Sequence, residues 1–258
     1  TPPDLEVREI ATRFRKEGLK GDFDAITKSS RKAVEGDRRS FWILLESGAE
    51  RINAIAIRSS NNAVWWFDDQ VEVEIQRVDK AIAEFEQNIL PMMFMLFGGV
   101  DNPGIDGDHR VHVVHTTIRG GLAGYFNVMD AFPRTLMEYS NEGQFIYMSS
   151  DYLEVGSPGY LSTLTHELQH AVHFAFDRGE EAWVNEGLSE IAANRAGYGS
   201  LSSKFFLSKP DTQLNSWPNE GSTASSYGAA QSFLAYLISQ YGGDSAIPRL
   251  IAEPRDGL

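Results

Sequence analysis

The sequence predicts an α+β fold in which a mixed β-sheet with helices comes first and a mainly helical part follows. Short apolar and aromatic runs, typical of strands, are concentrated before residue 150. Apolar residues at steps of three and four, typical of helices, dominate after residue 159. The 258 residues, 42% of them hydrophobic, are enough for one large domain or for two lobes that share a cleft.

The first part of the chain contains six short segments with the composition of strands. They lie at 41–46, 52–58, 63–67, 111–116, 122–128 and 144–149. The polar segment "SSNN" at 59–62 predicts a hairpin turn between the second and third of them. Helices are predicted at 4–17 and at 71–90, the latter from a clear helical spacing of apolar residues. We expect Pro91 to interrupt this helix, because proline lacks an N–H and its ring clashes with the preceding turn.

The second part of the chain is predicted to be mainly helical. Helices are expected at 160–176, 182–196, 227–241 and 244–252. Residues 197–225 are rich in Gly, Ser, Asn and Pro and are expected to be mostly irregular. We place the boundary after residue 176, so that 1–176 and 177–258 are two lobes of one unit with a cleft between them.

The composition excludes several classes of function. The formal net charge is −13, and such a surface repels the phosphates of nucleic acids and of anionic membranes. The longest apolar run, 89–100, is too short to span a bilayer and contains Pro and Gly. The chain has no cysteine, so a metal site must be built from His, Asp or Glu. We therefore expect neither a nucleic-acid partner nor membrane insertion.

The segment "THELQH" at 165–170 carries the strongest functional signal in the sequence. On a helix, residues four apart differ by about 40° in azimuth and about 6 Å in rise. His166 and His170 can therefore direct their rings at one zinc ion about 2.0–2.1 Å away. Glu167 follows the first ligand and can reach a water at the metal without binding the metal itself. The pattern predicts a zinc site with Glu167 as general base.

The segment "WVNEGLSE" at 183–190 offers a third ligand. A short turn after the motif helix would fold the next helix back antiparallel, which brings Glu186 level with His170. Glu190 lies one turn further, on the same face, and is expected to accept the free N–H of His166. Asn185 is expected to accept an imidazole N–H nearby in the same way. The alternative is an exposed acidic face, but two glutamates four residues apart repel each other, which favours a cation between them.

Two further positions on the motif helix bear on the type of site. His173 lies about 10 Å beyond His166 along the helix, too far to share the metal, and is expected to pack or to line the cleft. A third histidine ten residues after the first would define the metzincin arrangement. Phe176 occupies that position, so this arrangement is excluded.

The loop "DNPGIDGDHR" at 101–110 raises the question of a calcium site. Its Asp101, Asp106 and Asp108 could supply oxygen ligands, although the spacing of an EF-hand is absent. An ordinary solvated loop is the favoured interpretation, and calcium stays a second possible cofactor.

Taken together, the segments "THELQH" and "WVNEGLSE" resemble the gluzincin metallopeptidases. The chain is most similar to the hyicolysin-like secreted bacterial peptidases, through "GIDGD", "GLAGYF", "SNEGQFIYM" and "YGAAQSFLAYLISQYGGD" as well. The resemblance implies a zincin-like fold with zinc in the cleft, and His166, His170 and Glu186 as its ligands. It also implies Glu167 as the base and a secreted or cell-surface location.

The chain departs from the thermolysin group of that family in two ways. The spacing from His170 to Glu186 is shorter than in that group, and no histidine follows His173 to stabilise an oxyanion. Tyr227 is our candidate for this role, because it follows a flexible Ser/Gly stretch and begins a helix. Ordinary helix packing is the alternative for Tyr227, and Tyr198 is the competing candidate.

The resemblance also implies where a substrate would lie. In gluzincins the strand before the zinc helix is internal and the strand before that is the antiparallel edge of the cleft, which corresponds here to 144–149 and 121–126. A peptide would then pair with Leu122, Ala123, Gly124 and Tyr125, and the glycine leaves the backbone open for close approach. A bulged hairpin arm is the alternative. Ala123→Pro is expected to remove one N–H from this edge.

The sequence thus predicts a zinc-dependent endopeptidase that acts on a protein or peptide. Peptide deformylases with a related motif use a cysteine ligand, and the aminopeptidase segment Gly-x-Met-Glu-Asn is not found. The alternative is a surface module of a larger secreted protein that binds zinc or peptide with little or no catalysis.

Overall fold

The computed structural model describes residues 32–45, 48–100, 103–217 and 222–253. The helix predicted at 4–17 lies outside these residues. The described part is a mixed α+β structure in which a curled six-stranded sheet comes first and helices follow, as the sequence predicts.

The sheet contains all six predicted strands. They are β1 (Arg38–Leu45), β2 (Gly48–Ser59), β3 (Ala63–Asp68), β4 (Val111–Thr116), β5 (Gly124–Phe126) and β6 (Phe145–Ser149). Their order across the sheet is β1-β2-β3-β4-β6-β5. The central strands β3, β4 and β6 are parallel, and the other neighbours are antiparallel. The predicted β2–β3 hairpin is confirmed, and β5 is an antiparallel edge strand beside the internal β6.

The helix predicted at 71–90 begins four residues later and continues further than predicted. Helix α1 (Ile75–Glu84) passes into a π-helical turn (Phe85–Ile89) and then into α2 (Leu90–Leu96) without a break. The interruption expected at Pro91 is therefore wrong. A π-helical turn widens the helix and changes the alignment of its carbonyls, so a proline that follows it begins a new helical segment instead of clashing with an old one.

Five α-helices and a short 3₁₀ helix (Gly243–Ala246) form the second part of the described structure. The α-helices are α3 (Pro158–Phe176), α4 (Ala182–Arg195), α5 (Ser202–Ser208), α6 (Ala224–Gln240) and α7 (Ile247–Ile251). Helix α5 falls in the stretch expected to be irregular, because a helix of two turns is too short to show a periodic pattern. None of the described helices combines the length and apolar character that crossing a membrane requires.

The larger hydrophobic core joins the sheet to the helices on both sides of residue 176. It includes Trp65 of β3, Leu164 of α3, Leu188 of α4 and Leu234 of α6, all nearly inaccessible to solvent. Burial of such side chains contributes about 1.5–3 kcal/mol each. The boundary at 176/177 stays a prediction, but the two parts share one continuous core.

Helix α3 is fixed to the sheet at its beginning. The Ser157 side chain accepts a hydrogen bond from the Tyr160 N–H and so caps the first turn. The Tyr160 hydroxyl lies 2.8 Å from Nε2 of His115 in β4. Burial lowers the pKa of His115 to about 4, so this imidazole is neutral and suits an apolar contact between helix and sheet.

The "SNEG" loop before β6 contacts β1, the edge strand at the other end of the sheet from β5, and so closes the curled sheet. The Asn141 side chain accepts from the Trp42 N–H (2.9 Å) and donates to the Trp42 carbonyl (2.8 Å), so it pairs with the open edge of β1. It also donates to the Tyr147 hydroxyl, which in turn donates to the buried Asp130. The Leu44 N–H donates to the hydroxyl of Tyr125 in β5. The two edges of the sheet are thus tied together by side chains.

Replacement of Asn141 by alanine should destabilise the fold by about 1–3 kcal/mol, because the partly buried Trp42 N–H and C=O both lose their partner. Urea unfolding of the metal-free protein measures this change. Asn88→Ala is the matched control, since that amide lies on an exposed helix surface and bonds to Glu84; its effect should stay within about 0.5 kcal/mol. Equal shifts in the two variants would contradict a role for Asn141 in closing the sheet.

Candidate metal centre and active site

His166, His170 and Glu186 converge on one point between α3 and α4. Oε2 of Glu186 lies 3.0 Å from Nε2 of His166 and 3.3 Å from Nε2 of His170. One ligand atom from each of the three residues lies within 4.8 Å of the others, so the group could hold a metal ion. Within the described part of the chain, this is the only such group of three or more His, Cys, Asp or Glu residues.

A glutamate and two serines support the imidazole of His166. Oε1 of Glu190 lies 3.4 Å from Nδ1 of His166, on the side of the ring that faces away from Glu186. The other oxygen of Glu190 accepts hydrogen bonds from the hydroxyls of Ser200 and Ser202. The carboxylate is therefore held in place from behind, which fixes the orientation of His166.

Asn185 supports the imidazole of His170. Its Oδ1 lies 2.9 Å from Nδ1 of His170 and 3.2 Å from Nδ1 of the buried His173. The hydroxyl of Ser189 is also close, 3.1 Å from the same His170 nitrogen. His173 thus packs behind the site, as expected, and contacts the amide that orients His170.

The two imidazoles and the carboxylate strongly shift one another's pKa values. Burial by itself would lower the pKa of His166, but its hydrogen bonds to Glu186 and Glu190 raise that pKa to about 10. The pKa of His170 is also raised, against the effect of burial, mainly by Glu186. Burial opposes ionisation of Glu186, yet the two imidazoles hold its pKa well below the usual range. Without a metal, these shifts favour the protonated form of the imidazoles and the ionised form of Glu186.

Glu167 is attached to the edge of the sheet. Its Oε2 accepts a hydrogen bond of 2.9 Å from the Phe126 N–H in β5, and its side chain is buried. One oxygen of the carboxylate is thus held by the strand along which a substrate is expected to lie. This hydrogen bond limits the directions in which the other carboxylate oxygen of Glu167 can point.

The register of β5 determines which of its backbone groups are open. The Ser149 N–H donates to the Ala123 carbonyl, and in an antiparallel pair alternate residues direct their backbone groups towards and away from the partner strand. Ala123 and Tyr125 therefore face β6, whereas Gly124 and Phe126 face outward. Ala123→Pro would disturb the sheet and would not remove an open N–H, so that expectation is wrong.

The other two residues predicted to form the substrate edge differ in their setting. Leu122 precedes β5 and is half exposed. A Cβ at Gly124 would lie 2.8 Å from the Tyr147 carbonyl oxygen and 2.9 Å from Cγ2 of Thr163 in α3. Gly124 is therefore required for the close approach of β5 to β6 and α3, in addition to any contact with a substrate.

Tyr227 lies beside the metal group. Its ring is 6.0 Å from that of His166 and packs edge-on against Trp217. Burial raises the pKa of Tyr227, and the negative charges of Glu186 and Glu167 raise it further. The phenol therefore keeps its proton at neutral pH and remains a hydrogen-bond donor.

Two glycines allow α6 to bring Tyr227 to this place. A Cβ on Gly187, next to Glu186, would lie 2.6 Å from Leu234 and 3.1 Å from the Ala230 backbone in α6. A Cβ on Gly228 would collide with the Ser202 carbonyl in α5. The close packing of α6 against α4 and α5 thus depends on the absence of both side chains.

Tyr198 is directed away from the metal group. Its hydroxyl donates to Oε1 of Glu84 in α1 at 2.6 Å, and burial together with this carboxylate raises its pKa to about 12. Of the two tyrosines considered from the sequence, only Tyr227 has its ring beside the metal ligands.

The acidic loop at 101–110 shows no calcium site in its described part. The carboxylate of Asp108 is paired with the Arg110 guanidinium at 2.6 Å, and Oδ2 of Asp106 lies 3.4 Å from Nε2 of His112. Among the described residues no three of its acidic groups converge, and Asp101 lies outside them. Asp108 and Arg110 are buried, so the loop is not solvated at these positions, and a calcium site there stays a prediction.

Several groups in the site could not be found from the sequence. Ser200, Ser202 and Ser189 carry no spacing signal, and their roles depend on where helices cross. The Phe126 N–H is a backbone group, which no residue pattern identifies. The sequence predicts an edge strand at 121–126 and pairing along Leu122–Tyr125, but it assigns no contact to Phe126, because the register is not known from sequence.

Comparisons with known proteins do not assign the chain to a class. No protein-family model matches the sequence, and no curated protein gives a significant match. The fold and the His-His-Glu group therefore carry the functional interpretation.

Metal uptake at neutral pH should release a proton from His166, because a metal must displace this proton before it can bind the imidazole. The pKa of His166 is raised to about 10, so apparent affinity for Zn²⁺ should fall as pH falls below that value, about tenfold per displaced proton and pH unit. Titration calorimetry at pH 7 in two buffers of different ionisation enthalpy measures the release. Identical heats in both buffers would contradict it.

Glu186→Ala should remove the metal, whereas Glu190→Ala should weaken metal affinity by only about 10–100-fold. The difference follows from the positions of the two carboxylates, one between the Nε2 atoms and the other behind a ring. Competition with a chromophoric chelator measures both affinities. If Glu190→Ala alone emptied the site, the two glutamates would have exchanged roles.

Proposed function

We propose that the protein is a zinc-dependent endopeptidase. The observation that carries this proposal is the convergence of two imidazole nitrogens and one carboxylate oxygen beside Glu167, a glutamate hydrogen-bonded to the open edge of the sheet. A metal group, a base and a strand edge together suit metal-assisted hydrolysis of an extended peptide.

The donor set suits zinc. Two imidazoles and one carboxylate are a common ligand set for catalytic zinc, which keeps a fourth position open. Each imidazole has an oxygen acceptor at its second nitrogen, Glu190 for His166 and Asn185 for His170, which favours the neutral tautomer that binds metal through Nε2. Zinc held there supplies a Lewis acid that polarises a carbonyl and increases the acidity of water.

Glu167 acts as the general base in this proposal. Its Oε2 is held by the Phe126 N–H, which leaves the other oxygen to take a proton from the attacking water and to pass it to the leaving amine. The hydrogen bond keeps the carboxylate in one orientation throughout this transfer. Folding therefore already orders the side chain of the base, so substrate binding loses no further conformational entropy there.

Tyr227 and the edge of β5 complete the proposed machinery. The neutral phenol of Tyr227 beside His166 donates a hydrogen bond to the developing oxyanion. The Phe126 N–H is held by Glu167, so the extended substrate pairs with the outward backbone groups of Gly124 and with the Phe126 carbonyl, and its scissile bond then lies next to Glu167. The alternative function, binding of zinc or peptide with little catalysis, differs in one measurable property, turnover.

Glu167→Gln should abolish nearly all turnover while zinc stays bound at full stoichiometry. An amide oxygen can still accept the Phe126 N–H, so the geometry is kept, but the amide cannot take a proton. Digestion of casein, with metal content measured on the same sample, tests this. Glu50→Gln, an exposed position on β2, is the matched control and should keep full activity.

The wild-type protein distinguishes the two candidate functions. The zinc-loaded protein should cleave casein or a mixture of random peptides. If it binds them without cleaving them, the result supports the binding module and contradicts the endopeptidase proposal. Loss of zinc in Glu167→Gln would show that this residue is a ligand and not the base.

A further inference from the structure

The solvent face of helix α5 is apolar and basic, whereas the face that a helix turns to solvent is ordinarily polar. Leu201, Phe205 and Leu207 are 61%, 54% and 73% exposed. Lys204 and Lys209 are exposed beside them. Together these five residues form the α5 surface, which combines large apolar side chains with two positive charges.

The helical spacing of α5 separates this surface from the packed side of the helix. Leu201, Lys204 and Phe205 recur at steps of three and four, so their side chains leave the helix in similar directions. Ser202 and Phe206 lie on the other side of the helix. Ser202 is buried, and Phe206 packs closely against α6. The helix is therefore fixed to the protein by one face and presents the other to solvent.

Helix α5 lies next to the proposed active site. The hydroxyl of Ser202 donates at 2.7 Å to Glu190, whose other carboxylate oxygen lies 3.4 Å from Nδ1 of His166. The chain that leaves α5 continues to Trp217, which packs edge-on against Tyr227 beside the metal group. A long substrate bound over the metal group can therefore continue onto the α5 surface.

The two lysines of the α5 surface differ from neighbouring cations in their partners. Arg195 pairs with Asp244 at 2.8 Å, and Arg249 donates to a backbone carbonyl at 2.7 Å. The side chains of Lys204 and Lys209 form no hydrogen bond or ion pair with another residue that the structure describes. In a chain with a net charge of −13, these lysines attract locally the anionic groups that the rest of the surface repels.

The charges indicate which partner fits this surface. A twofold dimer would place α5 against α5 and lysines against lysines, because such a contact uses the same patch on both copies. An anionic membrane would be repelled by the acidic remainder of the protein. A protein segment that carries carboxylates between large apolar side chains complements both the lysines and the apolar residues.

We infer that the α5 surface is a docking site for an acidic and apolar segment of a protein substrate, at a distance from the bond that is cleaved. The inference rests on the proposed peptidase function and adds the class of protein that is preferred. Contacts at such a site are equal in the ground state and the transition state, so they lower KM for long substrates and leave kcat unchanged.

Cleavage of short and long peptides by the zinc-loaded wild-type protein tests the docking site. All peptides share one cleavable sequence identified in the casein digest, and the long ones add a segment rich in Asp, Glu, Phe and Leu before or after it. KM should be about tenfold lower for one of the long peptides than for the short peptide, with similar kcat. This gain should shrink in about 0.5 M salt, which screens exposed charges, and should be absent when Lys replaces the Asp and Glu of the segment.

Variants of the α5 surface should change only the kinetics of the long peptide. The double variant Lys204→Glu, Lys209→Glu should raise its KM about tenfold, and Phe205→Ser should raise it about fivefold. Unchanged kinetics with the short peptide show that fold and metal site are intact. The matched controls are Lys80→Glu, an exposed lysine of α1, and Met95→Ser, a methionine of α2 that is 70% exposed; neither should change the kinetics of either peptide.

The Glu167→Gln protein separates this inference from the proposed function. Fluorescence anisotropy with the labelled acidic and apolar segment alone should show saturable binding, and the double lysine variant in that background should weaken it about tenfold. Equal KM for short and long peptides, or a gain that the α5 variants leave unaltered, would overturn the docking site and leave the peptidase standing.

Two other results would also decide the question. Self-association in sedimentation, or binding to anionic vesicles, that the lysine variant abolishes while the segment does not bind would assign the surface to another partner and overturn the inference. Binding of the segment by a wild-type protein that cleaves no peptide would overturn the peptidase and, with it, the assignment of the segment to a substrate.

Discussion

The antiparallel pairing of α3 and α4 is the constraint on which the site depends. Two imidazoles one turn apart on α3 define a point in space, but only a helix that returns alongside places the carboxylate of Glu186 at that point. The same pairing brings Asn185 and Glu190 behind the rings. Three acceptors within residues 185–190 of α4, fewer than two helical turns, thus serve two imidazoles, and a shift of α4 along its axis would misplace all of them together.

The sheet contributes the second constraint, through its edge. Glu167 belongs to α3, but its carboxylate accepts a hydrogen bond from β5. The position of the proposed base is therefore coupled to the strand that is proposed to bind the substrate. Gly124 lets that strand lie close against α3. On the other side, Gly187 and Gly228 let α6 reach the metal group and present Tyr227. The site is therefore assembled by close backbone contacts, and the side chains with chemical roles only occupy positions that these contacts create.

The sequence was informative where chemistry follows from local geometry. Helical spacing is enough to join His166 to His170, and a short turn is enough to predict that Glu186 returns beside them. The sequence was uninformative where tertiary contacts determine the position of a group. The serines behind Glu190 come from a stretch without periodicity, and the outward direction of Phe126 depends on a register that one residue can reverse. Pro91 shows the same limit, because local rules predict that proline breaks the helix, whereas here a π-helical turn precedes Pro91 and the helix continues.

The hydrogen bond between Glu167 and the Phe126 N–H has a consequence for solubility. A free edge strand is a template on which other chains can add strands and aggregate. Here the edge is only three residues long, and one of its two outward N–H groups is already occupied by a buried carboxylate. At the opposite edge, the Asn141 amide occupies the backbone of Trp42. Side chains thus occupy backbone groups at both ends of the sheet, which leaves the short β5 edge enough room for one extended substrate segment and no long edge on which neighbouring chains could add strands.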